Sequence, residues 1–238
     1  MKIGDIRTSL LDVARCHTCG IREGALCSGM SDDEFNHINL SIEDIKFPAG
    51  SKLFRQGDDG RYILSIRQGM VKLNRLRQNG DQRIMRILRP GDVAGLEAMV
   101  ANRYEYDAIA IDAVLACRIS IEVIKRLDIE SPRLHQKLLE RWHQTLVEAD
   151  EWMAELTSGS ARTRLAKLLL KMRHPTQPEL STLFSRDDIG SMLCMTMETA
   201  SRTINAFQRE GKIMSLDSSG RFYKIDPRAL EADIVISD

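Results

Sequence analysis

The stretch Ser185–Ile213, SRDDIGSMLCMTMETASRTINAFQREGKI, decides how this chain is read. Ser185 is placed to cap a short helix carrying Ile189, Met192 and Leu193, because a serine oxygen accepts from an N–H that a helix start leaves unpaired. Cys194, Met195 and Thr196 then make a turn, and Thr196 caps the next helix. On that second helix Ala200, Ile204 and Phe207 fall on one face, while Glu198, Arg202, Asn205 and Arg209 fall on the other with Ser201 beside them. A short turn between two helices, the second with a polar outer face, is the layout of a helix-turn-helix whose second helix enters a DNA major groove.

The side chains on the outer face suit that use. Arginine donates bidentately to guanine, glutamate accepts from the cytosine amino group and serine serves several bases. Glu198, Ser201 and Arg202, at i, i+3 and i+4, are therefore positioned to read adjacent base pairs of double-stranded DNA. The same spacing also describes an ordinary surface pair on a helix, worth tenths of a kcal/mol. The tail Gly211–Asp226, GKIMSLDSSGRFYKID, reads as a hairpin, so the motif is winged, and Lys212, Arg221 and Lys224 supply cations for phosphates.

Upstream of this motif stand an amphipathic helix, ARTRLAKLLLKM, and a Pro-punctuated loop at His174–Pro178. The breakers Thr157-Ser-Gly-Ser160 form a hinge before it, ending a long helix that starts with Ser131 as N-cap and Pro132 at the first helical position. Along that helix Leu139, Trp142, Leu146, Ala149, Met153 and Leu156 recur at alternating spacings of three and four, the seam of a two-helix coiled coil and thus of a homodimer. The competing reading packs the same stripe against the protein's own domain. Glu148, Asp150 and Glu151 put like charges along the seam, a repulsion between subunits that holds the dimer in balance.

Further back, from Ile42 to about Ser120, the pattern is that of strands. YILSI, MVKLNRL and QRIMRIL alternate with turn signals at Pro48–Gly50, Gln56–Asp58, Gln68-Gly69, Asn79–Asp81 and Pro90–Asp92. Asn79-Gly80 is the strongest of these, since a tight hairpin needs residues that tolerate positive φ. Turns at roughly ten-residue intervals predict an antiparallel roll.

Before the roll comes ARCHTCGIREGALCSG, which holds Cys16, Cys19 and Cys27; Cys117 lies far downstream. Thiolates hold zinc or iron-sulfur clusters, and a Cys-x2-Cys pair with more distant cysteines can close one shell; scattered cysteines are otherwise small buried hydrophobes. His17 reads as solvated. A Cys-x2-Cys oxidoreductase is disfavoured because no βαβ pattern surrounds Cys16 and Cys19 and no substrate pocket is evident, so no catalytic residue is assigned.

The 238 residues allow one large or two smaller domains. Lys plus Arg and Asp plus Glu are both 34, so any nucleic-acid site is local. The charged opening lacks the apolar run of a signal peptide and no stretch reaches membrane-span length, which predicts a cytoplasmic protein without a membrane partner. Its cysteines are then expected to be reduced or metal-bound.

Roll, long helix, hinge and winged helix-turn-helix, in that order, resemble the CRP/FNR family of bacterial transcription regulators over nearly the whole chain. Glu198, Ser201 and Arg202 match the Glu-x-x-Ser-Arg signature of the FNR branch, which implies a dyad-symmetric operator with TTGAT-like half-sites. The resemblance further implies that Cys16, Cys19, Cys27 and Cys117 hold an oxygen-labile 4Fe–4S cluster, with a structural zinc or thiol switch as the alternative. An intact cluster would favour dimer and DNA binding, with RNA polymerase as a further partner. Two departures stand out: the loop from Cys19 to Cys27 is longer than in that branch, and Cys194 occupies a turn position where the family commonly has glycine. Cyclic-nucleotide members carry Arg-Ser-Ala in a phosphate cassette, where this chain has Tyr106, Asp107 and Ala108, so no cyclic nucleotide is expected. The implied architecture is α+β: a cysteine-rich segment over 1–30, a β-roll of the cyclic-nucleotide-binding jelly-roll type over 31–130, a dimerisation helix over 131–157 and a winged helix-turn-helix over 158–238.

Overall fold

A computed structural model describes residues 42–76, 82–174 and 176–235. The chain divides into two compact units, 1–80 with 86–144 and 81–85 with 145–238. Cys16, Cys19, Cys27 and the Asn79-Gly80 turn lie outside the described residues.

The first unit is built on strands β1 (Ile42–Phe47), β2 (Lys52–Phe54), β3 (Tyr62–Gln68), β4 (Val71–Leu76), β5 (Gln82–Leu88), β6 (Val93–Ala94), β7 (Asp107–Ala110) and β8 (Val114–Ser120). They form two four-stranded sheets with the orders β1-β8-β3-β6 and β2-β7-β4-β5. That arrangement is a double-sheet jelly roll, the roll expected from the turn spacing. The run Ile63-Leu64-Ser65-Ile66 is buried throughout, because β3 lies inside its sheet and is covered on both faces. Phe54 stacks on Tyr104 with ring centroids 3.9 Å apart, and the Tyr104 hydroxyl donates to the Tyr62 carbonyl at 2.7 Å. Gly57 and Gly91 take positive φ of 89° and 98°, which is why glycine stands in those turns.

A short helix α1 (Ala98–Ala101) precedes β7, and a second, α2 (Ile121–Glu130), follows β8 with no intervening turn. Sequence reading misses α2, running from strand to the next helix at Ser131. Its Ile121, Ile124 and Leu127 are buried on one stripe, but a strand feeding directly into a helix leaves no breaker to mark the change. Ser131 ends α2, its N–H donating to the Leu127 carbonyl, and its Oγ accepts from the Leu134 N–H at 3.2 Å, capping α3 (Pro132–Leu156) as expected.

The α3 stripe is not one seam. Leu134 and Leu138 are buried and Trp142 packs with them against the roll's core, so Trp142 departs from the coiled-coil assignment. Leu156 is fully buried as well. Leu139, Leu146 and Met153 remain 56%, 61% and 65% exposed, at the heptad spacing of seven. Glu151 is also corrected: its carboxylate lies 3.1 Å from Lys171 Nζ, which Glu155 approaches too, so it is partnered within its own unit.

In the second unit helices α4 (Ala161–Lys171), α5 (Arg186–Leu193), α6 (Met197–Arg209) and α7 (Pro227–Val235) accompany strands β9 (Arg173–His174), β10 (Gln177–Thr182), β11 (Ile213–Ser215) and β12 (Phe222–Ile225). The strands form one sheet in the order β11-β12-β10-β9. The expected loop at His174–Pro178 is instead the turn of a hairpin; its prolines hid a strand that supplies only Ser181 wholly to the interior. Ser160 caps α4 by accepting from the Thr163 N–H at 3.1 Å, after the break at Thr157–Ser160.

Candidate nucleic-acid interface and metal-ligating residues

Both caps of the two-helix motif form as read. Ser185 Oγ accepts from the Asp188 N–H and Thr196 Oγ1 from the Thr199 N–H, each at 3.1 Å. Asp187 and Asp188 lie in the first turn of α5, where carboxylates meet the positive end of the helix dipole. The turn itself is held from several sides. Cys194 is left-handed at φ 52°, ψ 48°, its N–H donating to the Gly190 carbonyl, and Arg164 Nη1 donates to the Leu193 carbonyl at 2.5 Å. A left-handed non-glycine residue costs on the order of 1–3 kcal/mol, so the turn carries the strain expected from its departure from glycine. Gly190 is a position that sequence reading missed: a Cβ there would stand 2.7 Å from the Met195 carbonyl oxygen, so only glycine lets the turn cross so close to α5.

These contacts fix which way α6 faces. Ala200, Ile204 and Phe207 are fully buried, and Glu198, Arg202 and Asn205 are exposed with Ser201 half-buried between them. The structure therefore brings the three predicted base-reading residues onto one solvent-facing surface. Arg202 keeps its guanidinium near home, 3.5 Å from Thr199 Oγ1. On the wing, Lys224 is exposed and makes no ion pair among the described residues.

Lys212 is corrected as a phosphate contact. It is 19% exposed at its side chain and lies 2.7 Å from Asp233 and 3.3 Å from Glu210. Arg162 donates to the same two acids, through Nη1 to Glu210 at 2.8 Å and through Nε to Asp233 at 3.0 Å, while its guanidinium stacks 4.7 Å over the Phe207 ring. This network ties α4 and α7 to the C-terminal end of α6, the helix that carries the base-reading residues. The hydrogen bond from Arg162, helped by Lys212 against a desolvation that works the other way, holds the Glu210 carboxyl at about 2. Burial raises Asp233, but hydrogen bonds from Lys212 and Arg162 outweigh it and leave this carboxyl lowered.

The sign of the consequence follows from proton linkage. An unfolded chain binds a proton at Glu210 more tightly than the folded one, so the stabilisation is complete above 4.5 and is lost as pH falls from 4.5 to about 2. Glu210→Gln is expected to flatten the acid limb of a melting-temperature profile across that window, measured on the whole protein. An unchanged acid limb would show that Glu210 has no part in it.

In the first unit Cys117 sits on β8, 9% exposed, opposite Asp44 of β1 and Ser65 of β3. Its thiol donates to Asp44 Oδ1 at 3.5 Å, and Arg67 Nη1 donates to Asp44 Oδ2 at 2.7 Å. Among the described residues no group of three or more His, Cys, Asp or Glu is disposed to hold a metal. Any four-thiolate centre therefore depends on Cys16, Cys19 and Cys27, which lie outside the described residues. Asp107, at the place of the phosphate cassette, is already engaged: Lys52 Nζ is 2.6 Å away and the Gln56 N–H donates to it at 2.8 Å. No helix among the described residues is long and apolar enough to cross a membrane.

Comparison with known proteins agrees with both units. The cyclic nucleotide-binding domain model matches residues 44–128 and the Crp-like helix-turn-helix domain model matches residues 163–233. The chain is 27% identical over 201 residues to the fumarate and nitrate reduction regulatory protein of Vibrio cholerae, spanning 82% of this chain and 80% of that one. It is 28% identical over 223 residues to the nitrogen fixation regulation protein FixK of Bradyrhizobium diazoefficiens, spanning 91% and 92%. Among solved structures, FixK2 from Bradyrhizobium japonicum superposes with a TM-score of 0.72 at 22% identity, over 80% of this chain and 96% of that one. A CRP-family transcriptional regulator from Thermus thermophilus superposes with a TM-score of 0.69 at 21% identity, over 80% and 96%.

Proposed function

Because the chain belongs to the CRP/FNR family of transcription regulators, we propose that it is a homodimeric, redox-responsive regulator that reads a TTGAT-like palindrome with Glu198, Ser201 and Arg202. One observation carries the reading: α6 buries Ala200, Ile204 and Phe207 against its own unit and turns Glu198, Ser201 and Arg202 outward. A helix anchored in this way presents a fixed set of side chains to a groove, which is what base discrimination requires.

Dimerisation is supported by the heptad-spaced Leu139, Leu146 and Met153, which stay exposed in the single chain. Pairing α3 with its copy would remove that apolar surface from water, and a two-fold dimer of helix-turn-helix proteins suits a palindrome of two half-sites. With Glu151 held by Lys171, exposed Glu148 and Asp150 remain as the carboxylates whose repulsion opposes the dimer.

For the sensor we infer a 4Fe–4S cluster held by Cys16, Cys19, Cys27 and Cys117. The donor chemistry fits, since four thiolates are the ligand set of such clusters, and the buried Ser65 hydroxyl opposite Cys117 has no partner among the described residues. When bound, the cluster would supply an oxygen-labile centre. Relatives named for fumarate and nitrate reduction and for electron transport regulation support a redox role. The roll is not read as a cyclic-nucleotide site, because Tyr106 and Asp107 stand where a cation and a hydroxyl would meet the phosphate, and Asp107 is paired to Lys52. RNA polymerase is the partner that a regulator bound at a promoter would engage.

Anaerobic purification with an absorbance spectrum, metal and sulfide analysis and operator titration tests the reading. The expected protein is brown, holds about four irons per chain and prefers the TTGAT palindrome to a scrambled duplex. Stoichiometric zinc without iron would replace the iron-sulfur assignment with the zinc one, and equal binding to both duplexes would overturn the reader.

A further inference from the structure

Cys117 stands between two polar side chains that its apolar neighbourhood does not need. Strand register puts Asp44, Cys117 and Ser65 in one row across β1, β8 and β3, with all three side chains leaving the same face of the sheet. On one side Asp44 accepts from the Cys117 thiol at 3.5 Å and from Arg67 at 2.7 Å. On the other, Ser65 is 4% exposed and its hydroxyl has no hydrogen-bond partner among the described residues, in the buried run Ile63–Ile66 whose other members are apolar. Buried polar groups are nearly always hydrogen-bonded, because an unpaired one keeps its full desolvation penalty. An alanine at position 65 would avoid that penalty, so the hydroxyl calls for a partner beyond those that the described residues supply.

We propose that Asp44 and Ser65 set how firmly Cys117 holds its metal: Ser65 donates a hydrogen bond to the metal-bound sulfur, and Asp44 is the anionic neighbour that favours release. The inference rests on Cys117 being a ligand of the iron-sulfur centre. A metal-bound sulfur carries no proton, so the hydrogen bond from Cys117 to Asp44 belongs to the metal-free state alone. Once bound, the negative sulfur faces the Asp44 carboxylate, and Arg67 reduces that repulsion without removing it. Ser65 works in the opposite sense, since its hydroxyl has a hydrogen to give and a negatively charged sulfur is a better acceptor than a thiol. Hydrogen bonds to ligating sulfurs and charge beside them are recognised levers on such centres. The row therefore offers one partner to each state of the same sulfur.

The full-length wild type, Ser65→Ala and Asp44→Asn, all purified anaerobically, are compared by iron release to excess chelator under anaerobic conditions and by thermal midpoint of the metal-free forms. Ser65→Ala is expected to lose iron about 10-fold faster, while its metal-free form melts at or above wild type because the orphan hydroxyl is gone. Asp44→Asn is expected to lose iron several-fold more slowly. Equal release from all three loaded proteins would overturn the proposal while leaving the iron-sulfur reading intact. A metal-free Ser65→Ala that melts below wild type would make Ser65 a structural residue and overturn its assigned role. Wild type that carries no iron when isolated anaerobically would overturn the iron-sulfur reading itself, and this proposal with it.

Discussion

Cys117→Ser is expected to leave a folded protein that holds no iron-sulfur cluster when purified anaerobically, as complete a loss as Cys19→Ser. The roll should tolerate the change. Serine is close to cysteine in size, Cys117 keeps slight access to solvent, and the Asp44 carboxylate can accept from a serine hydroxyl as it does from the thiol. The metal-free variant should thus melt within a few degrees of metal-free wild type, a shift that corresponds to about 1 kcal/mol or less. Loss of iron without loss of fold is what separates a ligand from a packing residue. Full iron content in Cys117→Ser would remove it from the ligand set and leave three N-terminal cysteines seeking another fourth donor. A Cys-x2-Cys oxidoreductase would behave differently again, keeping disulfide reductase activity in the variant, because the pair Cys16 and Cys19 would be untouched.

Local signals account for what was legible in the chain itself. Ser131, Ser185 and Thr196 were readable as helix caps because each carries an oxygen at the one position where a helix has an N–H to spare, and all three make the expected bond. The orientation of α6 followed from Ala200, Ile204 and Phe207 alone, since a single apolar stripe at helical spacing leaves one choice of face. What was not legible depends on partners far away in sequence. Lys212 looks like a phosphate-binding cation until Asp233 is folded against it, and Glu151 looks like a seam charge until Lys171 arrives. Trp142 fits the coiled-coil spacing as well as it fits the roll, and only the roll's core decides between them. The strand Gln177–Thr182 was hidden by Pro178, which stands at its exposed start beside a break in register with β9, where a missing N–H costs the sheet little. For the proposed metal site the sequence supplied the ligand types, but not Asp44 or Ser65, whose proximity to Cys117 is a product of strand register.

Arg202→Ala is expected to cost about 1–3 kcal/mol at a TTGAT-type palindrome, a loss of roughly 5- to 150-fold, and to relax the preference at guanine. The argument is geometric. Arg202 lies one turn along α6 from Glu198, both on the exposed face, and its guanidinium makes a weak contact to Thr199 at 3.5 Å, so little holds it back from a base edge. Removing it leaves the buried face of α6 intact, and the Arg162 network behind that face keeps the helix in place, so the fold should be unaffected. Lys224→Ala serves as the contrasting variant. An exposed cation on the wing that meets phosphate contributes equally to every sequence, so its loss should weaken specific and random DNA alike and lower the slope of log affinity against log salt by about one. Lys212→Ala should instead lower the melting temperature, because it deprives Asp233 of a partner 2.7 Å away inside the unit. Titrations of operator and scrambled duplex at several salt concentrations distinguish the three. If Arg202→Ala weakened both duplexes to the same extent, the arginine would be a phosphate contact and base discrimination would have to come from Glu198 and Ser201 alone.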